Sequence, residues 1–499
     1  MSTDETRRQD TDGETDHPGA AAEAGRQPAS GVTRRGLLKN SLAVAGSVAA
    51  MAAGTASARA DDSRPYSPLY AQTGDSVGGR KFRAWVSRGD GPKRTTLHEL
   101  TMRPIGGRQV VVRTEAANLC YTLSQPMLGI VRSFGSRSRP LTAQQRARND
   151  QINNMAIIQG HGGVGIVEAI GPEVRRVKVG DRVCVSGTPQ CGVCYACVRG
   201  RSDMCQFLGP ANTPEGMTPI ADMRDGTPVY MNSQIGGFGE YMISVEEWVV
   251  PVMSKAPAAH LEVACACTSV AGLGATTSQG IAVLPPSAKV AVVGSGPLGL
   301  SAIQGARIAG ARMIIAIDPI RVRREAALKV GATHVLDPNE PGDVVEKVRQ
   351  LTSEDNPSMW GGGIYSGPFQ AGGADFVVEA AGGEWLPPAL ERGPDPTGLL
   401  PMEQAYEMLH GTGHAVLTSL AFGDLSFNAG SFALAGRSVH AGQAGGCSPL
   451  RDIPKFVSFL DNGSFDPKPM LTAPTPLEKV LDTYQEVARR ATILAVLVV

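Results

Sequence analysis

Short apolar runs separated by turn residues dominate the first half of the chain, and a different pattern follows them. Between residues 61 and 256 the runs are short and bounded by turn-forming residues, which predicts a β-rich lobe. From residue 257 to 443, apolar runs such as Lys289–Val293 and Met313–Asp318 each precede a stretch of helical composition. Strands that alternate with helices predict an α/β domain built on a doubly wound parallel sheet.

Three further patterns complete the predicted elements. Residues 261–275 are mostly small and apolar and predict one helix. The C-terminal segment, 444–499, predicts helices over 453–462 and 476–490 and an apolar strand over 492–499. Stretches rich in Gly, Pro or Arg predict loop insertions, the first with a short helix, at 131–150, 353–371 and 384–402.

The first sixty residues predict an export signal that is not part of the fold. Residues 1–32 are polar and predict disorder. Arg34 and Arg35 precede a weakly apolar stretch over 41–56, and Ala58-Arg59-Ala60 places small residues where signal peptidase cuts. This arrangement resembles a twin-arginine signal cleaved after Ala60; the alternative is a chance Arg-Arg pair before an Ala-rich helix.

That resemblance implies a route and a partner. The twin-arginine translocase would carry the protein, already folded and loaded with cofactors, to the periplasm, the cell envelope or the outside of the cell. A zinc site rich in thiols would survive an oxidising compartment because coordinated thiolates are not free to pair.

Composition and charge exclude some partners. The chain has 499 residues, with 47 basic and 47 acidic side chains, so its zero formal charge offers no electrostatic case for nucleic acid or an anionic membrane. Aromatic residues make up only 5%, too few for a base-stacking surface. At 42% hydrophobic, the chain can bury large cores, and its length predicts two or three domains.

Four of the nine cysteines lie within one short segment. Cys191, Cys194, Cys197 and Cys205 are separated by loops short enough to bring their sulfur atoms to the corners of a tetrahedron. Four thiolates around one Zn²⁺ form a closed structural site with no position for a substrate. The alternatives are two disulfides or four unrelated thiols.

A glycine-rich turn between a strand and a helix predicts a dinucleotide site. Gly294-Ser-Gly296-Pro297-Leu298-Gly299 follows the strand Lys289–Val293, and Asp318 lies 19 residues after Gly299, at the end of the next strand. The glycines allow a tight turn and a close approach to pyrophosphate, which the helix N-terminus attracts. Asp318 can accept hydrogen bonds from ribose hydroxyls and would repel a 2′-phosphate, so NAD is favoured over NADP.

Together these motifs resemble the zinc-dependent medium-chain alcohol dehydrogenases. The four-cysteine loop is joined by Gly160-His161-x-x-x-Gly165, by Val179-Gly-Asp-Arg-Val183 and by Phe238-Gly-Glu-Tyr241. The resemblance extends from about residue 80 to the C-terminus. It implies a Rossmann domain over 257–443 and a GroES-like catalytic lobe that spans 61–256 and closes with 444–499.

The same resemblance implies a second, catalytic zinc. Its ligands would be Cys120, His161 and Cys267, with the fourth position open to an alcohol. Thr122 matches the family's proton-relaying hydroxyl, and Arg323 resembles its basic residue near the adenosine ribose. Cys120 could instead be a buried strand cysteine, and His161 a core histidine. The spacing to the following glycines favours Cys267 over Cys265.

The chain also departs from the family pattern near these positions. Gly162 stands where a glutamate usually follows the ligand histidine, Leu123 where an aspartate follows the relay hydroxyl, and Gln125 where a histidine often ends the relay. Tyr121 and Leu494 replace two arginines that contact pyrophosphate. The first two losses remove carboxylates of the kind that orient metal ligands.

The sequence therefore predicts a zinc- and NAD-dependent oxidoreductase that interconverts an alcohol and its aldehyde or ketone. Two zinc ions per chain and a homodimer or homotetramer are the family expectation. Export outside the NAD-rich cytoplasm suggests that the nucleotide stays bound. A non-catalytic or redox-sensing protein with only the structural zinc is the main alternative. A zinc-independent enone reductase is less favoured because it would prefer NADPH.

Overall fold

A computed structural model describes residues 77–88, 94–129, 142–211, 216–353, 372–421, 423–472 and 474–499. The predicted export signal and most of the insertions at 131–150 and 353–371 lie outside these residues.

The described residues alternate between strands and helices. The strands are β1 Lys81–Ser87, β2 Thr96–Met102, β3 Gln109–Asn118, β4 Ala156–Ile158, β5 Gly163–Ile170, β6 Arg182–Val185, β7 Ala221–Asp222, β8 Pro228–Met231, β9 Tyr241–Val245, β10 Val249–Pro251, β11 Lys289–Val293, β12 Met313–Ile317, β13 His334–Leu336, β14 Ala374–Glu379, β15 Leu409–Leu417, β16 Ser438–Ala441, β17 Thr475–Pro476 and β18 Val496–Val498. The α-helices are α1 Ser124–Leu128, α2 Ala143–Asn154, α3 Leu208–Ala211, α4 Ala258–Cys265, α5 Cys267–Thr277, α6 Pro297–Ile308, α7 Arg321–Val330, α8 Val344–Leu351, α9 Leu399–Glu407, α10 Ala429–Leu434, α11 Pro449–Asp461 and α12 Val480–Ala488.

The first lobe combines a small barrel with a larger, mostly antiparallel sheet. The barrel order is β1-β2-β7-β8-β4, and the sheet order is β10-β6-β5-β3-β18-β17, with β9 also paired to β3. Strand β3 is ten residues long and mostly buried, because it lies at the centre of this sheet. The C-terminal strand β18 pairs antiparallel with β3, with Val496 opposite Asn118. The end of the chain thus returns to the lobe in which the described residues begin.

The second lobe is a six-stranded sheet in the order β13-β12-β11-β14-β15-β16. All its strand pairs are parallel, which requires a helical or loop crossover between neighbours. The chain winds outward from β11 in both directions, so the crevice at the carboxyl end of β11 is a topological switch point, where such sheets bind ligands. The predicted fold, a Rossmann sheet with a β-rich lobe, is confirmed.

One core joins the two lobes. Its largest cluster of buried apolar residues includes Val164 and Val250 from the first lobe and Val290 and Leu300 from the second. Helices α4 and α5 pack between the lobes and contribute Leu261, Val270 and their neighbours to this cluster. Burial of this continuous apolar surface fixes the cleft between the lobes.

Several predicted elements differ from the observed ones. The single helix predicted over 261–275 is two helices, α4 and α5, whose axes bend by 53°. In the described part of the chain no one helix could cross a membrane, although this bent pair reaches the required length and apolarity. The predicted loop at 384–402 ends earlier, because helix α9 begins at Leu399. The strand predicted over 492–499 is limited to β18.

Candidate active site

Three side chains from distant parts of the chain meet at the cleft between the lobes. Cys120 follows strand β3, His161 lies between β4 and β5, and Cys267 is the first residue of helix α5. Their ligand atoms all lie within 4.8 Å of one another, and the His161 Nε2 atom is 3.1 Å from the Cys267 Sγ atom. Cys265 faces another way and lies beside Cys184 in the core.

Local backbone geometry presents two of these side chains. Ala266 has extended backbone angles, φ −55° and ψ 142°, which end α4 and let α5 start at Cys267. Gly160 has φ +105°, and a Cβ atom there would lie 2.6 Å from the backbone nitrogen of Gly237. Only glycine fits this position, and the turn it makes points His161 toward the cysteines.

The donor set fits zinc. Hydrogen bonding with Cys267 and the adjacent His161 ring hold the pKa of the Cys120 thiol well below its usual value, and the same shared proton raises the pKa of Cys267. Two sulfurs and one imidazole nitrogen at this spacing are the ligands that Zn²⁺ takes in sites that keep a fourth position open.

The residues around this triad explain the departures noted in the sequence. Leu123 is buried in an apolar cluster, where a carboxylate would be costly. A Cβ atom on Gly162 would lie 2.9 Å from the side-chain nitrogen of Asn118, so this space is already filled. Thr122 donates a hydrogen bond of 3.2 Å to Cys120 Sγ, beside the triad.

The four-cysteine loop forms a second cluster. The sulfur atoms of Cys191, Cys194, Cys197 and Cys205 lie within 4.8 Å of one another, and all four are free thiols. Burial alone would raise the pKa of Cys194, but backbone hydrogen bonds from Gln206 and Cys197 outweigh it and lower this pKa to about 6. Burial raises the pKa of Cys205 to about 12. This arrangement fits a closed structural zinc site and argues against the two-disulfide alternative.

The predicted dinucleotide motif borders the main cleft. Helix α6 begins at Pro297, directly after the glycine turn, and Gly294 has φ +92°. A Cβ atom on Gly299 would lie 1.8 Å from the Gly294 carbonyl oxygen, so this glycine permits close packing of helix on strand. The cleft is lined by most of the predicted cofactor residues and by two residues of the triad region: Gly294, Gly296, Pro297, Leu298, Asp318, Arg323, Cys120 and Thr122.

Asp318 is 3% exposed and holds the glycine turn in place. Its carboxylate accepts hydrogen bonds of 2.7 Å from the Ser295 backbone nitrogen and 2.8 Å from that of Ile320. A carboxylate can accept about four hydrogen bonds, so Asp318 retains capacity for ribose hydroxyls. Arg323 lies nearby, and burial lowers the pKa of its guanidinium.

The cleft contains a cation that the sequence reasoning missed. Arg490 follows helix α12 with φ +58°, a rare conformation for a residue with a side chain, and lines the cleft. Its guanidinium donates to the Gly383 carbonyl oxygen at 3.2 Å and lies 5.0 Å above the Tyr121 ring. Although Leu494 and Tyr121 replace two arginines, Arg323 and Arg490 line the cleft. Arg490 lies 3.8 Å from the Glu384 carboxylate, which offsets part of its charge. The Arg-Arg pair at 489–490 was the only sequence signal for this cation.

A second pocket opens beside the triad. His161 and Cys267 line it, with Ser186, Thr188 and Gln443 among its polar residues. The Thr188 hydroxyl is buried and has no hydrogen-bond partner among the described residues. The triad thus borders both the nucleotide cleft and a pocket with space and polar groups for a small molecule.

The chain is similar in sequence to known alcohol dehydrogenases. The family pattern of the alcohol dehydrogenase GroES-like domain matches residues 106–254, and that of zinc-binding dehydrogenases matches residues 297–392. Alcohol dehydrogenase class-3 of Cereibacter sphaeroides is 30% identical over 397 residues, which are 78% of this chain and 92% of the relative. S-(hydroxymethyl)glutathione dehydrogenase of Paracoccus denitrificans is 29% identical, over 65% of this chain and 80% of its own length.

Solved structures show the same fold. A zinc-binding-domain alcohol dehydrogenase of Burkholderia ambifaria superposes with a TM-score of 0.67 at 23% identity, covering 84% of this chain and 99% of its own. Benzyl alcohol dehydrogenase of Acinetobacter calcoaceticus gives 0.64 at 22% identity, with the same coverage. The identity to the class-3 enzyme and the two matching family patterns place the chain in the zinc-dependent medium-chain alcohol dehydrogenase family of oxidoreductases.

Proposed function

We propose that the protein oxidises an alcohol to its aldehyde or ketone, or reduces the carbonyl, with NAD as the hydride carrier. One observation carries this proposal: Cys120 and Thr122 line the same cleft as the glycine turn and Asp318. A metal site and a nucleotide site that share one cleft can bring the two reactants of a hydride transfer together.

In this proposal the metal ligands, a hydroxyl group and the apolar lining of the cleft have separate roles. Zn²⁺ held by Cys120, His161 and Cys267 would polarise the alcohol oxygen, and NAD in the cleft would accept the hydride. Thr122 lies beside Cys120 and is placed to take the alcohol proton and pass it out of the site. Leu119 and Leu494 line the cleft with apolar surface that limits the access of water.

The charge distribution favours NAD over NADP. Asp318 is a buried carboxylate that lines the cleft and can accept hydrogen bonds from ribose hydroxyls. Its negative charge would repel a 2′-phosphate. Arg323 and Arg490 line the same cleft, and Arg323 matches the family's basic residue near the adenosine ribose.

We further propose that the nucleotide remains bound during turnover. The loop after β14 is tied to the other lobe: Tyr121 Oη accepts hydrogen bonds from the backbone nitrogens of Trp385, at 2.9 Å, and Leu386, at 3.3 Å. The Tyr121 and Trp385 rings stack with centroids 5.4 Å apart, and Ala389 donates to the Arg489 carbonyl oxygen at 2.6 Å. Moving this loop away from Tyr121 to open the cleft would break these contacts. A second substrate or an electron acceptor would then re-oxidise the nucleotide in place.

Denaturing the purified, desalted protein tests both proposals. We expect about one NAD(H) per chain in the supernatant, identified by mass spectrometry. Tyr121→Phe should release it faster, because the two hydrogen bonds to the loop are lost, each about 1 kcal/mol. Tyr230→Phe, on strand β8 outside the cleft lining, should behave like the parent.

The outcomes separate the two ideas. Release of NADP(H) would contradict the argument from Asp318. A protein that contains no nucleotide but turns over with added NAD would contradict retention alone. One zinc per chain and no activity with any alcohol would favour the non-catalytic alternative.

We propose that the protein is exported by the twin-arginine route, on the basis of Arg34, Arg35 and the small residues before Asp61. N-terminal sequencing of the protein recovered outside the cytoplasm should begin at Asp61. A mature protein that still carries residues 1–60 would contradict this proposal.

A further inference from the structure

A carboxylate with no ionic partner is buried beside the triad. Glu262 lies on helix α4 and is 0% exposed. The salt bridges of the described residues do not include it. Burying a carboxylate costs several kcal/mol unless it is compensated, so an alanine or leucine would be expected if the position only filled space.

Asn118 supplies the hydrogen bonds that Glu262 receives. The Glu262 Oε1 atom accepts from the Asn118 backbone nitrogen at 2.9 Å and from its side-chain nitrogen at 2.7 Å. Asn118 is 1% exposed at the end of strand β3, two residues before Cys120. The other Glu262 oxygen has no partner in the part of the chain that the structure describes.

Asn118 in turn reaches a metal-ligand residue. The neutral Cys267 thiol is placed to donate to the Asn118 side-chain oxygen, at 3.7 Å. A metal-bound thiolate has no proton to donate, so this hydrogen bond belongs to the metal-free site. The hydrogen bonds that persist when a metal is bound are those between Asn118 and Glu262. These bonds join β3 and α4, the two elements that present Cys120 and precede Cys267.

The same asparagine occupies the space beside His161. Because a Cβ atom on Gly162 would lie 2.9 Å from the Asn118 side-chain nitrogen, a larger residue at 162 and the observed Asn118 rotamer exclude each other. The chain lacks a carboxylate directly after His161, and the buried carboxylate nearby is Glu262, which hydrogen-bonds Asn118.

We propose that Asn118 and Glu262 form a positioning pair that holds the end of β3, which presents Cys120, against helix α4, which leads to Cys267, in place of the carboxylates missing at Gly162 and Leu123. The inference rests on the proposed function insofar as the triad holds the catalytic zinc. Groups outside the ligand set that hold the metal ligands in place typically contribute about 10–100-fold to metal affinity.

Burial raises the pKa of Glu262 to about 8, which agrees with a group kept in an unfavourable environment for its contacts. Functional residues commonly have such environments.

Competition between the purified protein and a zinc chelator measures the zinc affinity and tests the pair. In Glu262→Leu, which fills the same space without a polar atom, we expect the catalytic-site zinc to bind about 10–100-fold more weakly than in the parent. Glu262→Gln keeps an oxygen that accepts from Asn118, so it should stay within about threefold of the parent, because the hydrogen bonds are retained. The zinc of the Cys191–Cys205 loop is an internal control and should be unaffected in both.

A double-mutant cycle adds a second readout. Asn118→Ala should weaken the same zinc, and adding Glu262→Leu should change it little further, because the two residues act as one unit. Thermal unfolding of each variant separates loss of metal from loss of fold.

Two results would overturn the inference: a Glu262→Leu variant that is folded and holds both zinc ions as tightly as the parent, or additive losses in the double variant. A parent protein that never binds a second zinc would instead refute the proposed function. The failures of the two proposals are thus distinguishable.

Discussion

Cys267→Ala is expected to remove turnover and one zinc ion per chain while leaving the protein folded. The variant retains only Cys120 and His161, two ligands where the open zinc site of this family uses three. Loss of the polarising ion should cost several kcal/mol of transition-state stabilisation, or at least about 10³-fold in kcat/KM. Steady-state kinetics and elemental analysis measure the two effects together.

Cys265→Ala is the matched control. It lies two residues away on helix α4 and is 3% exposed in the core, outside the triad. We expect this variant to retain two zinc ions and activity close to that of the parent. If Cys265→Ala lost the zinc and Cys267→Ala kept it, the assignment of the third ligand would be wrong.

Cys205→Ser is expected to destabilise the four-cysteine loop and to remove the other zinc ion. The loop has little apolar burial of its own: Val193 is 80% exposed, Tyr195 66% and Val198 62%. A segment that buries so little depends on the metal for its fold, since structural zinc contributes folding free energy directly. A loss of about 3 kcal/mol of local stability would raise the open population roughly 10²-fold, with a matching rise in proteolysis near residues 191–205.

Limited proteolysis followed by mass spectrometry locates the cleavage sites. Val193→Ser changes an exposed side chain of the same loop and leaves all four thiols, so its cleavage rate should match that of the parent. A Cys205→Ser variant that binds two zinc ions and resists protease like the parent would contradict a structural role for this cluster.

The glycine turn shows which features of the structure can be predicted from neighbouring residues in the sequence. Gly294 and Gly299 were identified from their spacing between a strand and a helix, and the structure places both in the predicted turn. The residues that form this turn are contiguous, so their identity alone sets the backbone conformation. The four-cysteine loop was predictable for the same reason, because its ligands lie within one short segment.

The break between α4 and α5 was not predictable in the same way. Residues 258–277 are apolar on both sides of Ala266, so their pattern gives no signal for a bend. The bend forms where the helix pair packs between the two lobes, and it is this packing that brings Cys267 to the start of a helix.

The sequence by itself determined the family, the two-lobed fold, the candidate zinc ligands and the glycine turn, because each depends on local spacing or on a recognisable motif. Only the tertiary structure decided how Tyr121 meets Trp385, 264 residues away, how Glu262 meets Asn118, 144 residues away, and that Arg490 lines the cleft. Those contacts depend on how whole lobes pack together, and no periodicity along the chain records which distant side chains that packing makes neighbours.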